Sequence, residues 1–161
     1  DVERSRGLGD VYKRQARELR QRCPAMAVLP CFLWSGVDGL VDLLPKDELE
    51  NGLHAGLAET SLMLHLASEL VGEQRPVDGL PGLEGTPCPP SGWSLEGAAP
   101  SAWLMEDLSR SGVIGDSSTA SAELGKALEQ RLVLHWTKRL RALLVSDWPA
   151  PAEPVDRTSA S

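Results

Sequence analysis

A histidine and a glutamate five residues apart, at the start of a predicted helix, are the residues of this chain best suited to chemistry. His54 lies between Gly52 and Gly56, and Glu59 falls in the first turn of the helix. Imidazole transfers protons near neutral pH, and a carboxylate binds a metal ion or orients a water molecule. Flanking glycines let the backbone turn tightly and approach a ligand closely. The spacing indicates a candidate site, while a glutamate in a first helical turn is also favoured by the helix dipole alone.

The other histidines and the common sequence signatures offer less. His65 and His135 fall inside predicted helices without a partner at metal-ligand spacing, so packing is the favoured interpretation. Asp38 and Asp42 flank an apolar loop and are interpreted as solvated carboxylates. Trp93, in a loop rich in proline and glycine, either lines a pocket or packs against the loop itself. No Gly-x-Ser-x-Gly, P-loop or Gly-x-Gly-x-x-Gly pattern occurs, so serine hydrolase elbows and nucleotide cradles find no support.

Three helical segments surround the candidate pair along the chain. Leu57–Val71 carries apolar residues on more than one face, which predicts a buried helix that Gly72 ends. Pro45 marks the start of a short helical turn at Lys46–Leu49. Ala16–Arg22 is rich in helix formers and predicts the end of a helix before Pro24. His54 and Glu59 are therefore expected at the junction between a loop and a buried helix.

The strand predictions rest on apolar continuity. Met26–Trp34 has no polar alternation, which predicts a strand buried on both faces, as in a parallel sheet, ended or bulged at Pro30. Ala102–Met105 and Val113–Ile114 are shorter strand candidates, and residues 73–100 are predicted to form a long loop or, at most, short irregular strands. Alternating strands and helices predict an α/β layer architecture. In such sheets, sites form beyond the carboxyl ends of the strands.

The clearest predicted element is a long amphipathic helix, roughly Thr119–Val145. Ser117–Thr119 offer oxygens that can cap it, and Glu123 suits its first turn. Apolar residues recur along it every fourth position: Leu124, Leu128, Leu132, Trp136, Leu140 and Leu144. Three prolines follow within residues 149–161, which predicts a disordered tail.

Composition excludes several classes of protein. The chain has 161 residues, of which 42% are hydrophobic and 24% charged, as in ordinary globular domains. Its net charge of −7 disfavours nucleic-acid binding, although seven of the sixteen Lys and Arg residues lie in residues 1–22. No stretch is long and apolar enough to predict a membrane span. Three cysteines without Cys-x-x-Cys spacing argue against a disulfide framework or structural zinc and suit a reducing cytoplasm.

Two segments in order along the chain resemble the creatininase family of amidohydrolases. The first is His54-Ala-Gly followed by Glu59-Thr-Ser and an apolar helix. The second is Gly112-Val-Ile-Gly-Asp116, followed by Glu123 and Gly125. The resemblance covers roughly Arg17 to Val145. The sequences of residues 92–100 and of Asp147-Trp148 resemble those of the cyanobacterial branch of the family.

The resemblance implies a three-layer αβα fold with a mainly parallel sheet, in a homo-oligomer that is often a hexamer. It also implies two divalent metal ions, zinc with manganese or a second zinc, that activate a water to attack the carbon of a small-molecule amide. His54 would contact the substrate or pass a proton to the leaving nitrogen. Glu59 would be a metal ligand or an acid beside the metals.

Two departures from the family pattern are important. The family takes most of its metal ligands from a Glu-x-His-Gly segment with a following Asp and from an Asn-Gly-His block, and this chain contains neither. Creatininase carries Trp-Asp shortly before the histidine, at its contact with creatinine. Here Glu50 and Asn51 occupy the corresponding substrate-binding positions, which argues against creatinine as the substrate. The resemblance does not specify which other amide is cleaved.

These observations give one leading hypothesis and one alternative. Residues 16–148 are expected to be the C-terminal part of a creatininase-like domain whose N-terminal part is missing, inactive by itself. Residues 1–15 are expected to be foreign, because Gly7–Gln15 is similar to translated adapter sequence. The alternative is a non-catalytic α/β module for interaction or oligomerisation. No nucleic-acid or membrane partner is expected.

Overall fold

The computed structural model describes residues 6–24, 26–86, 89–95 and 101–148, with side chains described from Tyr12 onward. The predicted disordered tail at 149–161, the first five residues of the predicted foreign segment and Cys88 lie outside the described residues. Helix α1 runs over Arg6–Arg22, so its predicted end at Arg22 is confirmed. None of the helices in the described part of the chain is long and apolar enough to cross a membrane.

The strand predicted at Met26–Trp34 is wrong. Residues 26–34 form no regular strand, and Phe32 is 59% exposed. Pro30 has no N–H to donate, and the described residues supply no neighbouring strand to pair with this run. Two of its carbonyls accept from side chains: Arg20 donates to Met26 O at 3.0 Å, and Trp136 Nε1 donates to Leu33 O at 2.8 Å. A third, Phe32 O, accepts from the nearby Ser35 N in a turn. Apolar continuity predicted burial that the described chain does not provide.

Two short helices flank the His54 loop. Helix α2, Lys46–Asn51, begins after Pro45 as predicted. Helix α3, Leu57–Leu66, is shorter than the predicted Leu57–Val71 because the backbone at Ala67 leaves the helical region, with φ −157° and ψ 61°. A single 3₁₀ turn at Ser68–Leu70 follows.

Helix α4, Met105–Leu108, is one turn long. The longest helix of the described residues is α5, Ala122–Leu144. Its cap is Ser121, whose hydroxyl accepts a hydrogen bond from Leu124 N, rather than the predicted Ser117–Thr119.

The hydrophobic core lies between α3, α5 and the loop that precedes α2. Its buried members are Val37, Leu40, Leu44, Leu57, Ala58, Leu128 and Leu132. Helices α3 and α5 cross so closely that a Cβ added to Gly125 would lie 1.9 Å from the Ser61 carbonyl oxygen. A glycine is therefore required at that point of α5. Along the predicted apolar stripe, Leu128 is fully buried, but Leu140 is 50% and Leu144 82% exposed.

The sheet of the described residues is small and antiparallel. Strand β1, Val77–Asp78, pairs with β2, Gly115–Asp116, so that Val77 faces Asp116. Of the two shorter strand candidates, Val113–Ile114 contributes one isolated bridge from Ile114 to His54. Ala102–Met105 forms no strand and leads into α4. The mainly parallel sheet of a three-layer αβα fold is thus not formed by residues 6–24, 26–86, 89–95 and 101–148.

Candidate active site

The backbone of His54 is fixed while its side chain remains accessible. Leu53 N and His54 N both donate to Ile114 O, at 2.9 and 3.1 Å, and Ile114 N donates to His54 O at 2.8 Å. Ile114 is fully buried, so it holds the loop from the core side. The His54 side chain is 58% exposed and is free to meet a molecule from solution.

The residue after His54 adopts a conformation that alanine rarely takes. Ala55 has φ of 51°, in the left-handed region, which costs a residue with a Cβ about 1–2 kcal/mol. Two side chains from the next helical turn bond to its peptide groups. Glu59 Oε2 accepts from Ala55 N at 2.7 Å, and Thr60 Oγ1 donates to Ala55 O at 2.9 Å. The Glu-Thr pair therefore clamps the turn that displays His54.

The predicted catalytic pair is brought together at the mouth of this turn. His54 Nδ1 lies 3.7 Å from Glu59 Oε2, and the two side chains are 58% and 47% exposed. That separation is too long for a hydrogen bond and corresponds to an ion pair when the imidazole is protonated. The same Glu59 oxygen already accepts the Ala55 amide, so Glu59 has a structural duty whatever its chemistry.

The third residue of the Glu-Thr-Ser triplet anchors the helix behind the turn. Ser61 is completely buried, and its Oγ accepts from Ser121 N at 3.2 Å, the capping residue of α5. Its carbonyl oxygen faces Gly125 at the helix crossing. The two segments that suggested the family, around His54 and around Gly112–Gly125, therefore meet in the fold.

Glu48, which sequence reasoning missed, lies under the turn. Its Oε1 accepts from Ala58 N at 2.8 Å across ten residues of chain. Burial raises the pKa of the Glu48 carboxyl, against the lowering effect of the Ala58 and Leu57 amides, and the Glu59 and Asp116 carboxylates raise it further. The sequence signal was indirect: Gly52 and Gly56 follow Glu48 by four and eight residues, and a side chain at either would collide with its carboxylate.

The predicted substrate contacts, Glu50 and Asn51, engage neighbours on their own helix. Glu50 pairs with Lys46 at 3.4 Å, and Asn51 Nδ2 donates to Asp47 Oδ1 at 2.5 Å. Both lie within four residues of His54 in sequence, at the end of α2. Their contact with substrate stays a prediction.

The remaining candidates have packing partners. His65 Nε2 lies 3.0 Å from Glu129 Oε2 and joins α3 to α5, while the His135 ring stands edge-on to Trp136 at 5.4 Å. Trp93 is 59% exposed and lines a shallow depression together with Trp103.

Asp78 is the most heavily bonded acid of the described chain and fixes the loop that leads to Ile114, the residue paired with His54. Its Oδ2 accepts from Ser109 Oγ at 2.9 Å, from Arg110 N at 3.0 Å and from the amide and hydroxyl of Ser111 at 2.9 and 2.8 Å. These donors, chiefly Ser111, hold the pKa of Asp78 well below its usual range. The loop they fix leads directly into Val113 and Ile114.

The described residues do not make a metal centre by themselves. Among residues 6–24, 26–86, 89–95 and 101–148, no group of three or more His, Cys, Asp or Glu side chains could hold a metal ion. His54 and Glu59 offer two ligand atoms at most, and zinc sites use at least three protein ligands.

Comparison with known families identifies the chain. The family model for creatininase, described as creatinine amidohydrolase, matches residues 7–140. The chain therefore belongs to the creatininase family, an amidohydrolase family whose members are typically metal-dependent. No curated protein and no solved structure gives a significant match.

Proposed function

We propose that this chain supplies the histidine side of the active site of a metal-dependent amidohydrolase that cleaves the C–N bond of a small amide. The observation that carries the proposal is the clamp at Ala55. Ala55 has a strained left-handed backbone, and hydrogen bonds with Glu59 and Thr60 hold it in that conformation directly beside His54. Such strain concentrates at functional sites.

In this proposal His54 binds the substrate or hands a proton to the departing nitrogen. Its exposed imidazole sits on a fixed backbone, which limits the freedom lost when a substrate binds. Glu59, 3.7 Å away, steadies the protonated ring. Glu50 and Asn51, at the end of α2, are proposed as the substrate-facing residues on the other side of the loop.

The metal ions, when bound, would supply an activated water and polarise the amide carbonyl. Glu59 is the residue of this chain proposed to lie at them, as ligand or neighbour. The other ligands would come from Glu-x-His-Gly and Asn-Gly-His segments outside this sequence, and the parallel sheet of a three-layer fold would be completed there. We therefore propose that the 161-residue chain alone does not turn over amides, and that the complete protein is a cytoplasmic homo-oligomer.

The test compares this chain with a protein that adds those upstream segments. Creatinine and N-formyl amides are offered with Zn²⁺ or Mn²⁺, and released amine or acid is measured. We expect metal-dependent hydrolysis in the extended protein and at least a hundredfold loss in His54→Ala, from removal of proton transfer. His65→Gln, a histidine change on α3 away from the turn, is the matched control and should retain activity. Full activity in His54→Ala would overturn the site assignment.

The alternative function is a non-catalytic interaction or oligomerisation module. One observation favours it: Leu144 and Val145 at the end of α5 are 82% and 86% exposed, as apolar interaction surfaces are. Sedimentation of the chain, with Leu144→Lys as the variant, separates the two functions. A stable oligomer that the lysine abolishes, together with an extended protein that hydrolyses neither amide class, would support the module.

A further inference from the structure

We infer that Glu48 is a positioning residue: its carboxylate closes the loop that carries His54 and sets the direction in which the imidazole points. The inference deepens the proposed function, and its catalytic consequence rests on that function. The positioning itself concerns only residues of this chain and can be measured without turnover.

Helix α3 lacks an ordinary cap. Gly56 occupies the capping position and has no side chain to accept the first amides. Glu48 provides this acceptor from α2, with Oε1 2.8 Å from Ala58 N. A negative carboxylate at a helix N-terminus also interacts favourably with the helix dipole. The start of α3 is thus tied to α2 through one side chain.

Both ends of the His54 loop meet this same carboxylate. A Cβ added to Gly52 would lie 2.5 Å from Glu48 Oε2, and one added to Gly56 would lie 2.8 Å from it. Gly52 N also donates to Glu48 O at 3.0 Å. The loop from Gly52 to Gly56 therefore begins and ends in contact with Glu48, and His54 is its central residue.

A third glycine, Gly115 at the start of β2, lies against Gly56 and close to the Glu48 carboxylate. A Cβ added to Gly115 would lie 2.8 Å from Gly56 Cα and 3.5 Å from Glu48 Oε2. Strand β2 can thus approach the loop only because its first residue lacks a side chain. The carboxylate fills a niche bounded by three glycines, which fixes its position and that of the turn above it.

The experiment uses the full 161-residue chain and nuclear magnetic resonance. Glu48→Ala removes the acceptor, and Glu48→Gln keeps an oxygen that can accept from Ala58 N. Glu123→Ala, which removes an exposed first-turn acid from α5, is the matched control. Two quantities are measured: amide exchange rates at Ala55 and Ala58 relative to Leu128, and the cross-relaxation contacts between the His54 ring and Glu59. Glu48→Asp, which withdraws the carboxylate by one methylene, replaces Glu48→Ala if that variant does not fold.

In Glu48→Ala we expect about tenfold faster exchange at Ala58 and Ala55, little change at Leu128, and loss of the His54–Glu59 contacts. Glu48→Gln and Glu123→Ala should stay within about threefold of the parent. Unchanged His54–Glu59 contacts in Glu48→Ala would overturn the inference. Equal acceleration at Leu128 would also overturn it, because the carboxylate would then support only the fold as a whole.

The failure of this inference is separable from that of the proposed function. In the extended protein, Glu48→Ala should lower kcat about tenfold or more and leave KM within about threefold. If the parent hydrolyses no amide but His54 moves in Glu48→Ala, the amidohydrolase proposal alone fails. If the parent is active and Glu48→Ala alters neither the His54 contacts nor kcat, the positioning inference alone fails.

Discussion

The His54 turn and the far half of α5 are held in opposite ways. In the turn, almost every residue from His54 to Ser61 has a polar partner of defined geometry, although His54 and Glu59 remain half exposed. Beyond Leu132, the apolar stripe of α5 leaves the core, and its last leucine is nearly bare. The contrast teaches that local polar contacts define the candidate site, whereas apolar pattern alone does not define what is buried.

The largest expected effect comes from truncating the same side chain in both halves of α5. Leu128→Ala opens a cavity at a fully buried position and should lower the free energy of unfolding by about 3–4 kcal/mol. Leu144→Ala, at an 82% exposed position, should change it by less than about 0.5 kcal/mol. Urea unfolding followed by circular dichroism measures both. Comparable losses of unfolding free energy in the two variants would show that a partner surface buries Leu144 in solution. The two halves of α5 would then not differ in burial.

A smaller effect is expected from the clamp itself. Thr60→Val keeps the shape of the side chain but removes the hydrogen bond to Ala55 O, which should cost about 1 kcal/mol. Ala55→Gly relieves the left-handed strain, so the combined variant should recover part of that loss. The two single variants and the double variant are compared by urea unfolding. Strict additivity would contradict the coupling between Thr60 and the turn, since contacting residues should not be independent.

The mildest expected effect is a change in acid sensitivity near the turn. The hydrogen bonds that lower the pKa of Asp78 in the folded state stabilise the fold above the pKa of the unfolded chain, near 3.8. That contribution is lost as the pH falls through the lower, folded-state value. Asp78→Asn should therefore be less stable than the parent at pH 7, and the gap should narrow below about pH 4. A gap that stays constant from pH 7 to pH 2 would exclude Asp78 as the group responsible.

The pKa of Glu48 is shifted in the opposite direction, so this residue provides a comparison for the pH experiment. Burial raises the pKa of Glu48 in the folded state, so the folded chain holds the Glu48 proton more tightly than the unfolded chain does. The stability that this proton binding adds is present at low pH and is lost as the pH rises through the raised pKa. The two acids should therefore give stability profiles of opposite slope. Urea midpoints for Asp78→Asn and Glu48→Gln across the same pH range distinguish them.

Local patterns were predictable from the sequence where local physics decides the structure. The end of α1 at Arg22, the start of α2 after Pro45 and the pairing of His54 with Glu59 follow from breakers and short spacings. The strand expected at Met26–Trp34 does not form, because a strand needs partners that the described residues do not supply.

Glu48 escaped prediction for a related reason. Its partner Ala58 is ten residues away, and only the folded loop shows that Gly52 and Gly56 leave space for one carboxylate. The predicted bounds 1–15, 16–148 and 149–161 and the substrate contacts of Glu50 and Asn51 stay predictions.

The close contact between Ser61 and Gly125 lies near the start of α5, so most of that helix extends to one side of the crossing. From Gly125 to Leu144 the helix extends about 28 Å, and from Ser61 back to Gly56 the distance along α3 is about 7 Å. If the two helices tilt as one body about that point, a displacement of about 4 Å at Leu144 moves the His54 turn by about 1 Å. A shift of that size is enough to alter a reaction rate about a hundredfold. Under such a tilt, a molecule bound at the exposed end of α5 would change the position of His54.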